Sequence, residues 1–182
     1  VGSEMCIRDS IYAAEVFNFD VTEVEIIEEG NKFLGKNGGT ATSNDGTVIK
    51  ANNFEYDKLK NILIAIGDVK IDDKKKNIII RSQKVTYFKN KEFIFSEGQS
   101  QAINEGIIID ADNFEYNKIN NVMNANGDVK IKDSINDYLI LANDATYYKN
   151  SEKIITNGDT EAFIRSKYVI NSKDIIYLHN EK

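Results

Sequence analysis

The sequence predicts an all-β protein, an elongated stack of antiparallel hairpins with about thirty residues per repeat. Three observations predict it. Tyrosine recurs at Tyr56, Tyr87, Tyr116, Tyr147 and Tyr177, and glycine keeps step eleven residues later at Gly67, Gly98, Gly127 and Gly158. Apolar and polar residues alternate between these markers, which is the period of a strand with one buried face. No segment sustains a helical period, and the 182 residues contain no proline. Self-similarity at a fixed spacing means one supersecondary unit stacked on copies of itself. Such a stack presents a long surface or groove more naturally than one unique reactive site.

The repeats follow in order. A degenerate first copy is expected over residues 21–40, with Ile27 in the tyrosine slot and Gly38 in the glycine slot. The second begins Ile49-Lys50-Ala51-Asn52-Asn53-Phe54-Glu55-Tyr56 and returns through Leu63, Ala65, Gly67, Val69 and Ile71. The third carries Ile80, Ser82, Val85 and Tyr87, and the fourth Ile109, Ala111, Phe114 and Tyr116. Weaker copies place Ile140, Ala142, Ala145 and Tyr147, then Ile170, Ser172, Ile175 and Tyr177. In each copy two polar residues shift the alternation by one. A bulge or corner there would return both halves to the same interior face. The Asn- and Lys-rich stretch after each tyrosine suits a hairpin connection. The return strand is clearest at Met123–Ile131, where Met123, Ala125, Val129 and Ile131 share one face. Glycine in mid-strand marks a bend or a close approach. Strands of about five to ten residues are expected.

Composition narrows the function. A chain of this length buries roughly 70% of its unfolded surface. A net charge of −6 argues against nucleic acid, which needs a clustered positive field. No apolar run approaches the ~20 residues of a spanning helix. Val1 to Ser10 fits none of the pattern and resembles translated adapter sequence, so 1–10 is set aside as non-native. Residues 11–15, Ile11-Tyr12-Ala13-Ala14-Glu15, have the small residues that end a secretory signal. The only cysteine, Cys6, lies in the set-aside segment, so no disulfide or thiolate site is expected. The chain stops in the turn after Tyr177, before a return strand, and truncation is expected there.

Serial hairpins in which Asn-Phe-Glu-Tyr is followed by Gly-Asp-Val-Lys resemble the OstA-like (LptA) family of lipopolysaccharide export. That family comprises LptA and the N-terminal periplasmic domain of LptD. The pieces that carry the resemblance are Ala51–Tyr56 with Ala65–Val69, and Ala111–Tyr116 with Ala125–Val129. The resemblance implies that 16–182 is a single OstA-like domain, an elongated antiparallel β-jellyroll (β-taco) open along one side. Its apolar interior would carry the acyl chains of lipopolysaccharide in the periplasm of a Gram-negative bacterium. Other bridge proteins of the same kind would join edge to edge. Contact with the outer membrane would come through partners or a missing C-terminal barrel, and the mid-repeat ending favours the LptD domain.

The candidate groove-lining set is Ile49, Ala51, Phe54, Tyr56, Leu63, Ala65, Val69, Ile80, Val85, Tyr87, Ile109, Phe114, Tyr116, Met123, Val129 and Tyr147. The plainer reading is that these fill a solid β core. Two small-residue rows favour a groove or, equally, tight sheet packing: Ala51, Ser82, Ala111, Ala142, Ser172 and Ala65, Ser96, Ala125, Thr156. The tyrosines would line a rim or cap each hairpin. Val21, Glu23 and Glu25 at one end, and Val169, Asn171 and Lys173 at the other, are the candidate edge-strand contacts. Asp68, Asp128 and Asp159 lie on the polar face, one or two repeats apart, and suggest no metal. His179 stands alone, and the acids have the outward strand phase, so neither an enzyme nor any cofactor is expected. A structural or adhesive β-solenoid without a ligand is the alternative function.

Overall fold

Strands form wherever the alternation holds, and they run longer than the local pattern suggests. The structure is a computed structural model that describes residues 16–179; the segments 1–10 and 11–15 lie outside them. The fourteen strands among the described residues are β1 (Phe17–Ile27), β2 (Lys32–Ser43), β3 (Val48–Ala51), β4 (Asn53–Asp57), β5 (Ile62–Asp73), β6 (Ile78–Phe88) and β7 (Phe93–Asn104), then β8 (Ile107–Asn117), β9 (Val122–Asp133), β10 (Tyr138–Tyr148), β11 (Lys153–Asn157), β12 (Thr160–Ile164), β13 (Tyr168–Ser172) and β14 (Ile176–Leu178). All pair antiparallel in one continuous sheet, mostly with the next strand in sequence. The antiparallel stack expected from the repeats, and the β-jellyroll that the resemblance implies, is the architecture found.

Most strands are 11 or 12 residues long, beyond the five to ten expected, because pairing continues through a mid-strand corner. Register shifts fall at one level in every pair of long strands, for example between Asp110 and Asn113 on β8 and between Ile66 and Val69 on β5. The extra residue sits on the glycine strand. Gly127 and Asp128 both take positive φ, 77° and 45°, as do Gly67 and Asp68 at 81° and 47°. A Cβ on Gly127 would lie 2.3 Å from Asp112 Oδ2 of the adjoining strand. The polar pair of one strand therefore packs over the glycine of the next, and the ladder of such contacts folds the sheet along a line. Each strand contributes half its length to each of two arms.

The first repeat is shifted by one from its expected register. Tyr56, Tyr87 and Tyr116 pair directly with the residue seven positions on, Leu63, Ile94 and Met123. The equivalent pair in β1 and β2 is Ile26 with Phe33, so Ile26, not Ile27, holds the tyrosine slot. Asn37, with φ 62°, correspondingly holds the glycine slot in place of Gly38. With a side-chain period of two, a slip of one exchanges faces.

The inner faces of the two arms form one core running from Phe17 to Tyr177. Burying a large side chain of this set contributes about 2 to 3 kcal/mol. The outer face is less polar than Met123–Ile131 suggests. On one arm Ile62, Ile64 and Ile66 pair with Phe88, Thr86 and Lys84, and Phe88 and Thr86 pair in turn with Phe93 and Phe95, giving an outward apolar cluster.

Candidate functional site

Every residue of the predicted groove set lies on the inner face, and none is more than 4% exposed. The two arms pack these side chains against each other. Phe17 meets Tyr56 and Tyr87 edge-on at ring separations of 5.1 and 5.8 Å. The small residues flank the corner, where the arms converge: Val69 pairs Ser82, and Phe114 pairs both Ser96 and Ala125. Ser96 Oγ accepts from the Phe114 N–H at 2.9 Å and meets Ser100 Oγ at 2.7 Å, so this row also ties adjoining strands.

Opposite the corner, where the resemblance implies an open side, the rims of the two arms instead meet along a seam, joined by polar contacts. One rim carries the turns that follow the tyrosines; the other carries the turns between the glycine strands and the next repeat. Lys118 Nζ, two residues beyond Tyr116, crosses the seam. It donates to Asp45 Oδ2 at 2.8 Å and to Thr47 Oγ1 at 2.6 Å, and lies 3.0 Å from Asp73 Oδ2. Lys89, two residues beyond Tyr87, lies 3.5 Å from Asp45 and pairs with Glu92 on its own rim. Both ammonium groups also donate to the Tyr87 hydroxyl, at 3.2 and 3.3 Å, and that hydroxyl donates to Glu92. Farther along, Tyr147 donates to Asn104 at 2.7 Å, and Tyr177 and His179 both reach Asp133.

The electrostatics follow from burial against pairing. Burial disfavours the Lys118 cation, yet hydrogen bonds to Asp45 and Asp73 outweigh it and raise its pKa above the ordinary lysine value. Burial likewise works against the Asp45 carboxylate, but donation from Lys118, Ser43 and the Thr47 N–H holds its pKa far below the usual range. Asp133 is shifted the same way, to about 2: burial opposes the charge, and Tyr177, Asn136 and His179 overcome it. Burial, then Glu92, pushes the Tyr87 hydroxyl up, so it remains a donor. No buried side-chain polar atom among the described residues lacks a partner.

The tyrosines take two roles, of which hairpin capping was expected and bonding across the seam was not. Tyr56 and Tyr87 cap their own hairpins by bonding Asn61 and Glu92, five residues on. Tyr147 and Tyr177 span the seam. Sequence reasoning did not find the clasp, although a signal was present. Lysine or histidine stands two residues after each of the five repeat tyrosines, at Lys58, Lys89, Lys118, Lys149 and His179, while Asp45, Asp73, Asn104 and Asp133 recur on the facing rim at a similar spacing. His179, assigned no role from sequence, belongs to this set. Asp68 and Asp128 turn at the corner, and no group of three or more His, Cys, Asp or Glu among the described residues is placed to hold a metal ion.

The predicted edge residues occupy the two ends of the sheet. Val21, Glu23 and Glu25 lie on β1, which among the described residues pairs only with β2. Val169 and Asn171 lie on β13, which pairs only with β12, and Lys173 follows it. Inner-face apolar residues are uncovered at both ends: Ile26, 62% exposed, beside Phe33, and Ile170, 46% exposed, beside Ala162. No helix among the described residues is long and apolar enough to cross a membrane.

A solved structure with the same architecture is LptH of Pseudomonas aeruginosa, the LptA-homologous periplasmic component of the lipopolysaccharide transport device. The two share 15% identity at a TM-score of 0.52, over 60% of this chain and 81% of that one. Among curated proteins, none matches by sequence. The family model described as LptA/(LptD N-terminal domain) LPS transport protein matches residues 48–177, from β3 into β14. That span takes in most of the folded core and both rims of the seam, and the chain belongs to this family of lipopolysaccharide transport proteins.

Proposed function

We propose that this chain shields the acyl chains of lipopolysaccharide between its two arms and passes them along a periplasmic bridge toward the outer membrane. The observation that carries the reading is the unbroken apolar inner face, which runs through every repeat and emerges uncovered at both ends. A lipid tail needs such continuity, because each interruption by a polar wall would strand methylenes worth about 0.8 kcal/mol apiece in water. Edge pairing with other domains of the same fold is supported by β1 and β13, each with one free side among the described residues. The lining residues are the sixteen predicted from the repeats, and no catalytic step or cofactor is invoked.

Photo-crosslinkers at Phe54, Val85 and Phe114 are expected to capture lipopolysaccharide in cells. Capture no stronger than at outward-facing Lys130 would refute the reading. The close packing of the inner faces favours a second one, a structural β-solenoid with no ligand. That reading predicts no lipid on natively purified protein and no capture at any of these positions.

A further inference from the structure

Three features stand outside the function just proposed: the outward apolar cluster around Ile62 and Phe93, the polar corner ladder, and the seam. The seam has internal order that the other two lack. Its cross-rim partners are separated by a nearly constant interval: 44 residues for Lys89 with Asp45, 43 for Tyr147 with Asn104, 44 for Tyr177 with Asp133 and 46 for His179 with Asp133. One and a half repeats separate donor from acceptor in these pairs and in Lys118 with Asp73, while Lys118 also reaches one repeat farther, to Asp45, 73 residues back. A row of donors on one rim thus faces a row of acceptors on the other, with Lys118 bridging two successive acceptors.

The strength of closure is uneven along the row. At the β2–β3 turn, Lys118 and Lys89 face Asp45 and Asp73, with Lys118 and Asp73 only 4% and 5% exposed by side chain. At Tyr147 the closure is one neutral hydrogen bond. Charged, buried hydrogen bonds are the stronger class. The apolar core lies behind this row, so a long tail entering it sideways has to pass between its members.

We propose that the seam is the mouth of this jellyroll and that Lys89 and Lys118, with Asp45 and Asp73, form the clasp that holds it shut. The gate role rests on the lipid reading above; the clasp itself does not. When the rims part, the lysines and aspartates exchange their partners for water at little cost in charge balance, because each rim keeps charged groups that are ordinary at a surface. Closure then excludes water from the interior between loads. A protein whose mouth is mostly closed binds with an apparent affinity reduced by its open fraction, so weakening the clasp strengthens uptake.

The test uses the full chain with Cys6→Ser, so that only introduced thiols react. Spin labels at Lys74→Cys and Lys91→Cys, exposed positions on the two rims, report the rim separation by pulsed electron resonance. Dansylated undecanoic acid reports entry of an apolar tail by its fluorescence. The unmodified clasp is expected to give one narrow, short distance. Lys89→Met/Lys118→Met is expected to give a longer and broader one, with probe binding about tenfold tighter. Asp45→Asn/Asp73→Asn loosens the same closure from the other rim and serves if the lysine variant does not fold, as judged by circular dichroism. Distances that stay at the wild-type value in a folded variant overturn the clasp. If the rims part while neither protein takes up probe or lipopolysaccharide, the clasp stands and the lipid reading falls.

Discussion

Gly127 shows how much one residue carries in this fold. Its φ of 77° lies where side chains are strained, and a Cβ there would meet Asp112 Oδ2 at 2.3 Å. Gly127→Ala is therefore expected to cost at least about 2 kcal/mol, from backbone strain and displacement of the corner ladder together. Gly46 in the β2–β3 turn also has positive φ, 92°, but open space around it, so Gly46→Ala should cost only about 1 kcal/mol. Urea unfolding of both variants checks the difference, and equal losses would remove the packing argument. Asp133 carries a second residue-scale consequence. Its folded pKa of about 2 lies below the ordinary 3.8, so its contribution is complete above pH 4 and is lost as pH falls toward 2. Asp45 is depressed further, and its contribution is lost over a range extending lower still. Lys118 is shifted upward, so its share is present below the ordinary lysine pKa of 10.5 and lost only as pH rises past it. Stability should be flat from about pH 4 to 10 with respect to these groups. Near-ultraviolet circular dichroism, which senses the buried tyrosines, should show loosening first on the acid side. At this scale the sequence revealed the inward residues but hid the clasp, because Lys118 and Asp73 sit in stretches whose composition is that of any exposed turn.

Phe114 and Phe95 separate what a strand buries from what it merely displays. Phe114 on β8 is wholly buried between Ser96 and Ala125 of its neighbours, whereas Phe95 on β7 points outward beside Thr86 and Glu115. Phe114→Ala is expected to cost about 3 to 5 kcal/mol and Phe95→Ala about 1 kcal/mol or less, read from denaturant midpoints. Strand identity and facing were legible from β5 to β10, where alternation is clean and tyrosine and glycine set the phase. The first repeat was not, since β1 alternates Glu23, Glu25 with Val24, Ile26 and lacks both markers, which leaves nothing to distinguish two registers one residue apart. Strand length was underestimated for a related reason. The corner breaks the alternation but not the hydrogen-bonded ladder, so two apparent short strands are one long one. The outward apolar cluster escaped notice because Ile62–Ile66 is apolar on both faces, a run that carries no phase.

A stack of hairpins touching only its neighbours would unfold as a chain of nearly independent units, fraying from its ends. This molecule has a second set of connections. Lys118 joins β8 to the β2–β3 turn across more than seventy residues, and Tyr147 joins β10 to the end of β7. Both links cross the seam rather than pass along the sheet, so they couple repeats that share no strand pairing. Amide hydrogen exchange makes the coupling measurable, since each amide reports the free energy of the smallest opening that frees it. In the wild-type protein the amides of β3 and β8 should exchange with the same free energy, and those of β13 and β14, each paired with a single strand among the described residues, with a lower one. Lys118→Met should lower the protection of the β2–β3 region by about 3 kcal/mol, the scale for breaking one side of a buried ion pair, and leave β9 and β10 nearly unchanged. Protection of β3 that is already independent of β8 in the wild type, or a uniform loss throughout the sheet, would mean that the arms are held together by apolar packing alone. The predicted pattern would instead make the seam a cooperative element, with the chain's two arms held as one body by a few polar groups at their rims.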